Sequence, residues 1–290
     1  MTISLNLRGI IYMVLAGITF VSCDSFLKMM LLDVPPLQSL VLRGVTATVW
    51  CFGLLAVMGQ LKHLPKAFGF WTIMRSLAEV VAVTCFILAL ANVPLATVTA
   101  IYQVAPLLVL AGASLIWGEN VGLVRWLLIG VGLLGAILVA QPGGDAASPY
   151  ALLGFVTAFA SAARDLLTRK ASADVPGLVV TFNVIVAVLL ASFLNNQLFE
   201  GWQPVQATTW AYAAGAGFFV MLGHFFVYMS FRYASARTVA PFYYSFTLIA
   251  VAAGALVFGE VPNGLAMVGI ALIVFCGLGV LYFEQGDKVS

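Results

Sequence analysis

Long apolar runs alternate along this chain with short breaks that carry turn residues. A helix that crosses a bilayer needs about 20 mainly apolar residues. Ten such runs can be marked, roughly 8–30, 36–58, 69–91, 95–117, 122–140, 149–171, 176–198, 208–232, 237–258 and 262–283. Between them stand Pro35-Pro36, Pro65, Asn92-Val93-Pro94, Gly118-Glu119-Asn120, Pro142-Gly143-Gly144, Pro176-Gly177, Pro204 and Pro262-Asn263-Gly264. These are turn and helix-stop signals. The connections are too short to hold a soluble domain. The pattern predicts an all-α integral membrane protein with ten transmembrane helices.

The pattern also repeats. Sliding the sequence by 141 residues without a gap brings Thr97 onto Thr238, Val98 onto Val239 and Tyr102 onto Tyr243. The same shift brings Gly118-Glu119 onto Gly259-Glu260, Asp24 onto Asp165, Lys28 onto Arg169, and Asp33-Val34-Pro35 onto Asp174-Val175-Pro176. Residues 1–144 and 145–290 are therefore expected to be two five-helix repeats, joined by the linker-like stretch from Gln141 to Ser148. Five is odd, so the second copy must enter the membrane from the opposite face. Inverted-topology repeats of this kind build many secondary transporters, which bind substrate near the midplane between the halves.

Composition narrows the class. Of 290 residues, 63% are hydrophobic and 8% charged, where soluble domains carry about 25% charged residues. The lipid bilayer is thus one partner, and no basic tract long enough for nucleic acid is present. Cys23, Cys51, Cys85 and Cys276 all fall in apolar runs without metal spacing. His63 and His224 stand far apart, so no metal site and no cofactor are expected. Arg8, an apolar run and Val21-Ser22-Cys23 imitate a lipoprotein signal. The repeat argues against cleavage, because the stretch aligns with Thr157 to Arg169. With ten crossings both termini share one side, and eleven of the 13 basic residues gather there. Only Lys28 and Arg43 approach the other face. By the positive-inside rule both termini are expected in the cytoplasm.

The run Arg75…Phe86-x-x-Ala89-Leu90, Pro94-Leu95-Ala96, Pro106-Leu107, Gly118-Glu119, Arg125-Trp126 and Gly135…Gln141-Pro142-Gly143 resembles the EamA family of the drug/metabolite transporter superfamily. The second half repeats the pattern with Ala240-Pro241, Gly259-Glu260-x-Pro262 and Gly269. The resemblance covers essentially the whole chain and is greatest to the YddG-type amino-acid exporters. It implies a ten-helix exporter of amino acids or other metabolites in a bacterial inner membrane.

Polar groups within a span are costly and usually face the bundle interior or a water-filled path. Arg75 and Glu79 lie one turn apart on one helix face. They read either as a substrate or proton site or as an intrahelical ion pair. Tyr102 and Gln103 share a stripe with Pro106, and Tyr243 and Tyr244 stand on the repeat-related segment. Their rings suit an organic substrate or an ammonium group. His224 can titrate near neutrality, or simply be a bonded interior histidine. Arg43 can hold a carboxylate bidentately, or reach out to the surface. Asp24 with Lys28, and Asp165 with Arg169, are expected as pairs bracing opposite mouths of the path, or as ordinary helix-end salt bridges. Glycines 130, 132, 135, 269, 277 and 279 mark the fifth and tenth segments as a close-packed scaffold.

The expected function is a secondary transporter that exports amino acids, aromatic or other apolar ones among them, or related small metabolites by alternating access. The substrate would be a small molecule, and a monomer would suffice. Another metabolite (nucleotide-like, a vitamin or a drug), moved in or out, is the alternative. A structural or channel subunit ranks lower. An enzyme is not expected, because Asp24 and Asp165 are placed at opposite faces and no nucleophile–base motif, phosphate loop or HExxH occurs.

Overall fold

The computed structural model describes residues 5–118, 122–141, 148–168, 175–234 and 239–286. Every regular element among them is helical. In order these are α1 (Leu5–Met30), α2 (Pro36–Val57), a 3-10 segment (Leu61–Phe68), α3 (Phe70–Leu90), α4 (Leu95–Tyr102), α5 (Ala105–Trp117) and α6 (Leu123–Ala140). There follow α7 (Ala151–Thr168), α8 (Gly177–Asn195) with a π turn at Asn196–Glu200, α9 (Ala207–Tyr233), a 3-10 segment (Ala240–Tyr244), α10 (Ser245–Phe258) and α11 (Gly264–Gly286). Eight helical stretches are long and apolar enough to cross a membrane, the pair α4–α5 counting as one. The last two expected crossings correspond to shorter apolar helices, Phe242–Phe258 and Gly264–Val280. Helix α1 runs unbroken through Cys23.

Local chemistry explains the ends. Pro35, Pro94 and Pro176 are the N-cap residues of α2, α4 and α8. A helix start leaves backbone N–H groups unused, so a residue without one is tolerated there. Helices α5 and α10 both stop at a left-handed glycine, Gly118 at φ 65° and Gly259 at φ 66°. The two positions are related by the 141-residue shift, and glycine takes that conformation without the Cβ penalty.

The fourth apolar run, expected as one helix, is broken. Helix α4 ends at Tyr102 and α5 restarts at Ala105. Pro106 has no N–H to return to the Tyr102 carbonyl, which removes one bond from the ladder. Its counterpart begins as a 3-10 turn containing Pro241 before α10 continues. The breaks meet, because the Gln103 Nε2 donates a hydrogen bond to the Tyr243 carbonyl.

The packing shares the symmetry of the sequence. Helix α1 lies against α9, and α3 against α7; the shift exchanges these two pairs. It likewise exchanges α2–α9 with α3–α8, and α4 and α5 on α7 with α10 on α1. The pairs α2–α8, α4–α10 and α6–α11 map onto themselves. Large apolar side chains such as Val49, Leu115, Leu190, Leu256 and Phe275 point outward, while Gln38, Gln103, Thr157, Ser161 and Ser230 are buried. This is the distribution that a hydrocarbon solvent selects, as polar groups must find partners inside. The glycine seam is only partly as expected. A Cβ on Gly135 would stand 2.9 Å from the Gly269 carbonyl oxygen, so α6 and α11 touch backbone to backbone. Gly132 packs under Leu107 and Gly277 under the Tyr244 ring, whereas Gly130 faces open space.

Candidate functional site

Among the described residues, two groups of charged side chains bear on the bundle interior. In the first, Glu79 of α3 accepts a hydrogen bond from Arg164 Nη1 of α7 at 2.6 Å. Arg164 Nε donates to Asp165 Oδ1 at 2.7 Å, and its guanidinium also faces the Tyr102 hydroxyl. The Arg164 and Glu79 side chains are only 16% and 11% exposed. A charge taken out of water needs close partners, and the packing of α3 on α7 supplies them. Arg75 lies within electrostatic reach of this pair but forms no ion pair with Glu79. Its Nε donates to Thr168 Oγ1 at 2.9 Å, and its Nη1 is buried without a hydrogen-bond partner. One residue further on, Ser76 Oγ donates to Asn183 Oδ1 at 2.7 Å. The intrahelical Arg75–Glu79 pair, one of the two sequence readings, is thus replaced by a pair across helices.

The second group is open. Asp24 of α1 and Arg43 of α2 lie within electrostatic reach of each other, with Cys23 beside them. They form no ion pair. His224 of α9 is within electrostatic reach of Arg43 and also of Glu79, Arg75 and Arg164, so it stands between the two groups. An aromatic series follows the same route. Tyr243 and Phe246 have ring centroids 5.3 Å apart, Phe246 and Phe20 6.0 Å, and Phe20 meets His224 edge-on at 5.1 Å. Phe86 and Tyr102 form a further edge-on contact at 6.4 Å. Charged groups at two ends and rings between them can hold an organic molecule of mixed polarity by ionic contacts and stacking.

Arg43, Arg75, Glu79, Tyr102, His224 and Tyr243 therefore share one interior. Two expected residues do not reach its charged groups. Tyr244 is buried against Gly277 and Cys276 in the α11 packing, and Gln103 is used in joining the two broken helices. The pairs within α1 and α7 also need correction. Lys28 does not pair with Asp24. It crosses to Glu260 Oε1 at 2.5 Å, while Glu260 Oε2 accepts from the Leu95 N–H at 3.2 Å. Asp165 pairs with its neighbour Arg164, and Arg169 lies outside the described residues. Arg164 and Glu260 are the two functional candidates that local spacing overlooked. Arg164 carried a signal, as a second charge within α7 next to Asp165. Glu260 stood in the repeated Gly-Glu turn.

Helices of this length, outward apolar side chains and a charged interior define a multi-pass membrane protein. The comparisons then place it. Residues 7–141 and 148–283 each match the EamA-like transporter family, and the chain belongs to that family. It is 29% identical to a riboflavin transporter of Vibrio cholerae, over 97% of this chain and 94% of that one. It is 26% identical to the pseudopaline exporter CntI of Pseudomonas aeruginosa, over 99% and 100%. It is 23% identical to an S-adenosylmethionine uptake transporter of Rickettsia prowazekii, over 75% and 74%. A solved structure with 18% identity superposes with a TM-score of 0.67 over 96% of this chain and 98% of its own, which establishes a shared fold. The chain is accordingly a member of a family of small-metabolite transporters.

Proposed function

We propose that this protein is a secondary transporter of amino acids or close derivatives, working in the bacterial plasma membrane as two inverted five-helix repeats with cytoplasmic termini. The observation that carries the reading is the meeting of two broken helices, joined from Gln103 to the Tyr243 carbonyl, beside an interior with charges of both signs. Interrupted helices at corresponding places in two repeats are where transporters bind their substrates. S-adenosylmethionine, carried by one group of relatives, is itself a methionine derivative. Export is the direction implied by the resemblance and by the pseudopaline relative. The YddG-type subgroup is one form of this reading. The halves would rock about the central path, with α6 and α11 as scaffold.

A second reading has its own support. Riboflavin transporters match almost the full length, and the rings from Tyr243 to His224 would suit a flat aromatic molecule. Proteoliposomes holding the purified protein separate the two. Counterflow of radiolabelled amino acids, absent in protein-free vesicles, supports the first reading. Counterflow of riboflavin alone replaces it with the second. Movement of neither class by folded protein would remove both substrates from consideration.

A further inference from the structure

Six carboxylates can be followed among the described residues. Asp33 accepts from Thr209, Glu79 and Asp165 from Arg164, Glu200 from the Leu37 N–H, and Glu260 from Lys28 and the Leu95 N–H. Asp24 has no such bond. Its setting makes this costly, because it stands six residues before the end of a membrane-long helix, inside the bundle. A carboxyl group left unpaired in such a place either stays neutral or is held as a charge by whatever binds it. The opposite charge that acts on it is that of Arg43 on α2. It is close enough to interact but not paired.

The repeat sharpens the contrast. Asp165, the equivalent of Asp24, is closed by the adjacent Arg164. At the position equivalent to Arg164 the first half has Cys23, and at the position equivalent to Arg43 the second half has Val184. One half thus holds a finished ionic cluster, and in the other the Arg43 guanidinium bonds the Cys23 thiol and forms no ion pair with Asp24. The aromatic series begins beside them, since Phe20 lies one helical turn before Asp24 on the same face and touches Phe246 and His224.

We propose that Asp24 and Arg43 are the two arms of a zwitterion-binding site. Asp24 takes an α-ammonium group, Arg43 the α-carboxylate, and the rings of Phe20 and Phe246 take an aromatic side chain. A zwitterion inserted between the arms gives each charge a partner and leaves the net charge of the interior unchanged. A guanidinium binds a carboxylate through two parallel hydrogen bonds. This inference rests on the small-metabolite transporter reading and narrows it to a substrate class. It also moves Asp24 from the mouth of the path to the substrate.

The test uses the full-length protein purified in detergent, with affinities measured by calorimetry. The probes are L-phenylalanine, 3-phenylpropanoate (no ammonium), 2-phenylethylamine (no carboxylate) and riboflavin. The expected result is that L-phenylalanine binds at least roughly tenfold more tightly than either truncated analogue, the size of one lost charged hydrogen bond. Asp24→Asn should then weaken L-phenylalanine and 2-phenylethylamine but not 3-phenylpropanoate. Arg43→Gln should weaken L-phenylalanine and 3-phenylpropanoate but not 2-phenylethylamine. A merely structural role would not produce that crossed pattern. Equal weakening of every probe by both variants overturns the proposal, as does binding of 3-phenylpropanoate and 2-phenylethylamine as tight as that of L-phenylalanine. Binding of riboflavin alone also overturns it, while leaving the transporter reading in place. If both variants lose their sharp elution profile, Asp24→Glu and Arg43→Lys repeat the test with charge kept.

Discussion

At the scale of single residues, the bundle interior is governed by the cost of an unpaired charge. Arg164 is held from two sides, by Glu79 and by Asp165. Removing one member of a buried pair typically costs about 3–5 kcal/mol, because the other is left without compensation. Glu79→Ala should therefore lower the melting temperature of the purified protein clearly. Adding Arg164→Leu should restore part of the loss, since the double variant has no orphaned guanidinium and the carboxylate it frees, Asp165, is 44% exposed and can be hydrated. A double-mutant cycle read by thermal unfolding checks this; simple addition of the two losses would show that the pair is not coupled. The local sequence pointed to Arg75 as the partner of Glu79, for both sit one turn apart. The structure gives Arg75 to Thr168 instead. A helical turn brings side chains within reach, but the neighbouring helix decides which contact is desolvated and kept.

At the scale of helices, the glycines separate scaffold from surface. Gly135 and Gly269 face each other's carbonyl oxygens across α6 and α11. Gly269→Leu should prevent that approach and greatly reduce the folded protein recovered from the membrane, as judged by size-exclusion profile. Gly130 lies in the same helix as Gly135, but a Cβ there meets nothing. Gly130→Ala should be neutral or stabilising by about 0.5–1 kcal/mol, the ordinary gain from replacing a mid-helix glycine. Thermal unfolding of the two variants side by side tests whether contact, rather than glycine content, makes the seam. The broken α4–α5 run has a related lesson. Pro106 was visible as a ladder defect, yet a helix often absorbs a proline as a kink. Here the pairing of Gln103 with the Tyr243 carbonyl holds the break against its counterpart.

At the scale of the molecule, Lys28 and Glu260 tie the end of α1 to the turn between α10 and α11, 232 residues away in sequence. The same glutamate holds the first N–H of α4. Three elements are thereby strapped together at one end of the bundle, and the proposed rocking of the halves would have to strain or break the strap. Glu260→Lys should slow transport in proteoliposomes at least severalfold at unchanged protein content. The reversed pair Lys28→Glu with Glu260→Lys should recover a substantial part of the rate. Failure of the reversed pair to recover any rate would show that the Leu95 N–H bond, not the ion pair, matters.

The sequence by itself determined the all-helical, membrane-crossing class of protein and the 141-residue repeat, though not the break within the fourth run. These depend on periodicity, composition and turn residues, which are local and additive. The left-handed glycines at 118 and 259 and the proline helix starts belong to the same legible layer. It also picked out several charged interior residues, because a charge in an apolar run is conspicuous wherever the run ends up, but not Arg164 and not the rings of Phe20 and Phe246. Only the tertiary structure decided the partners. Glu79 took Arg164, 85 residues away, Lys28 took Glu260, and Asp24 was left without an ion pair. Those choices follow from which helices pack together and which faces they turn inward. In a medium without water, a charge binds the partner that the packing brings to it, whatever lies nearest along the chain.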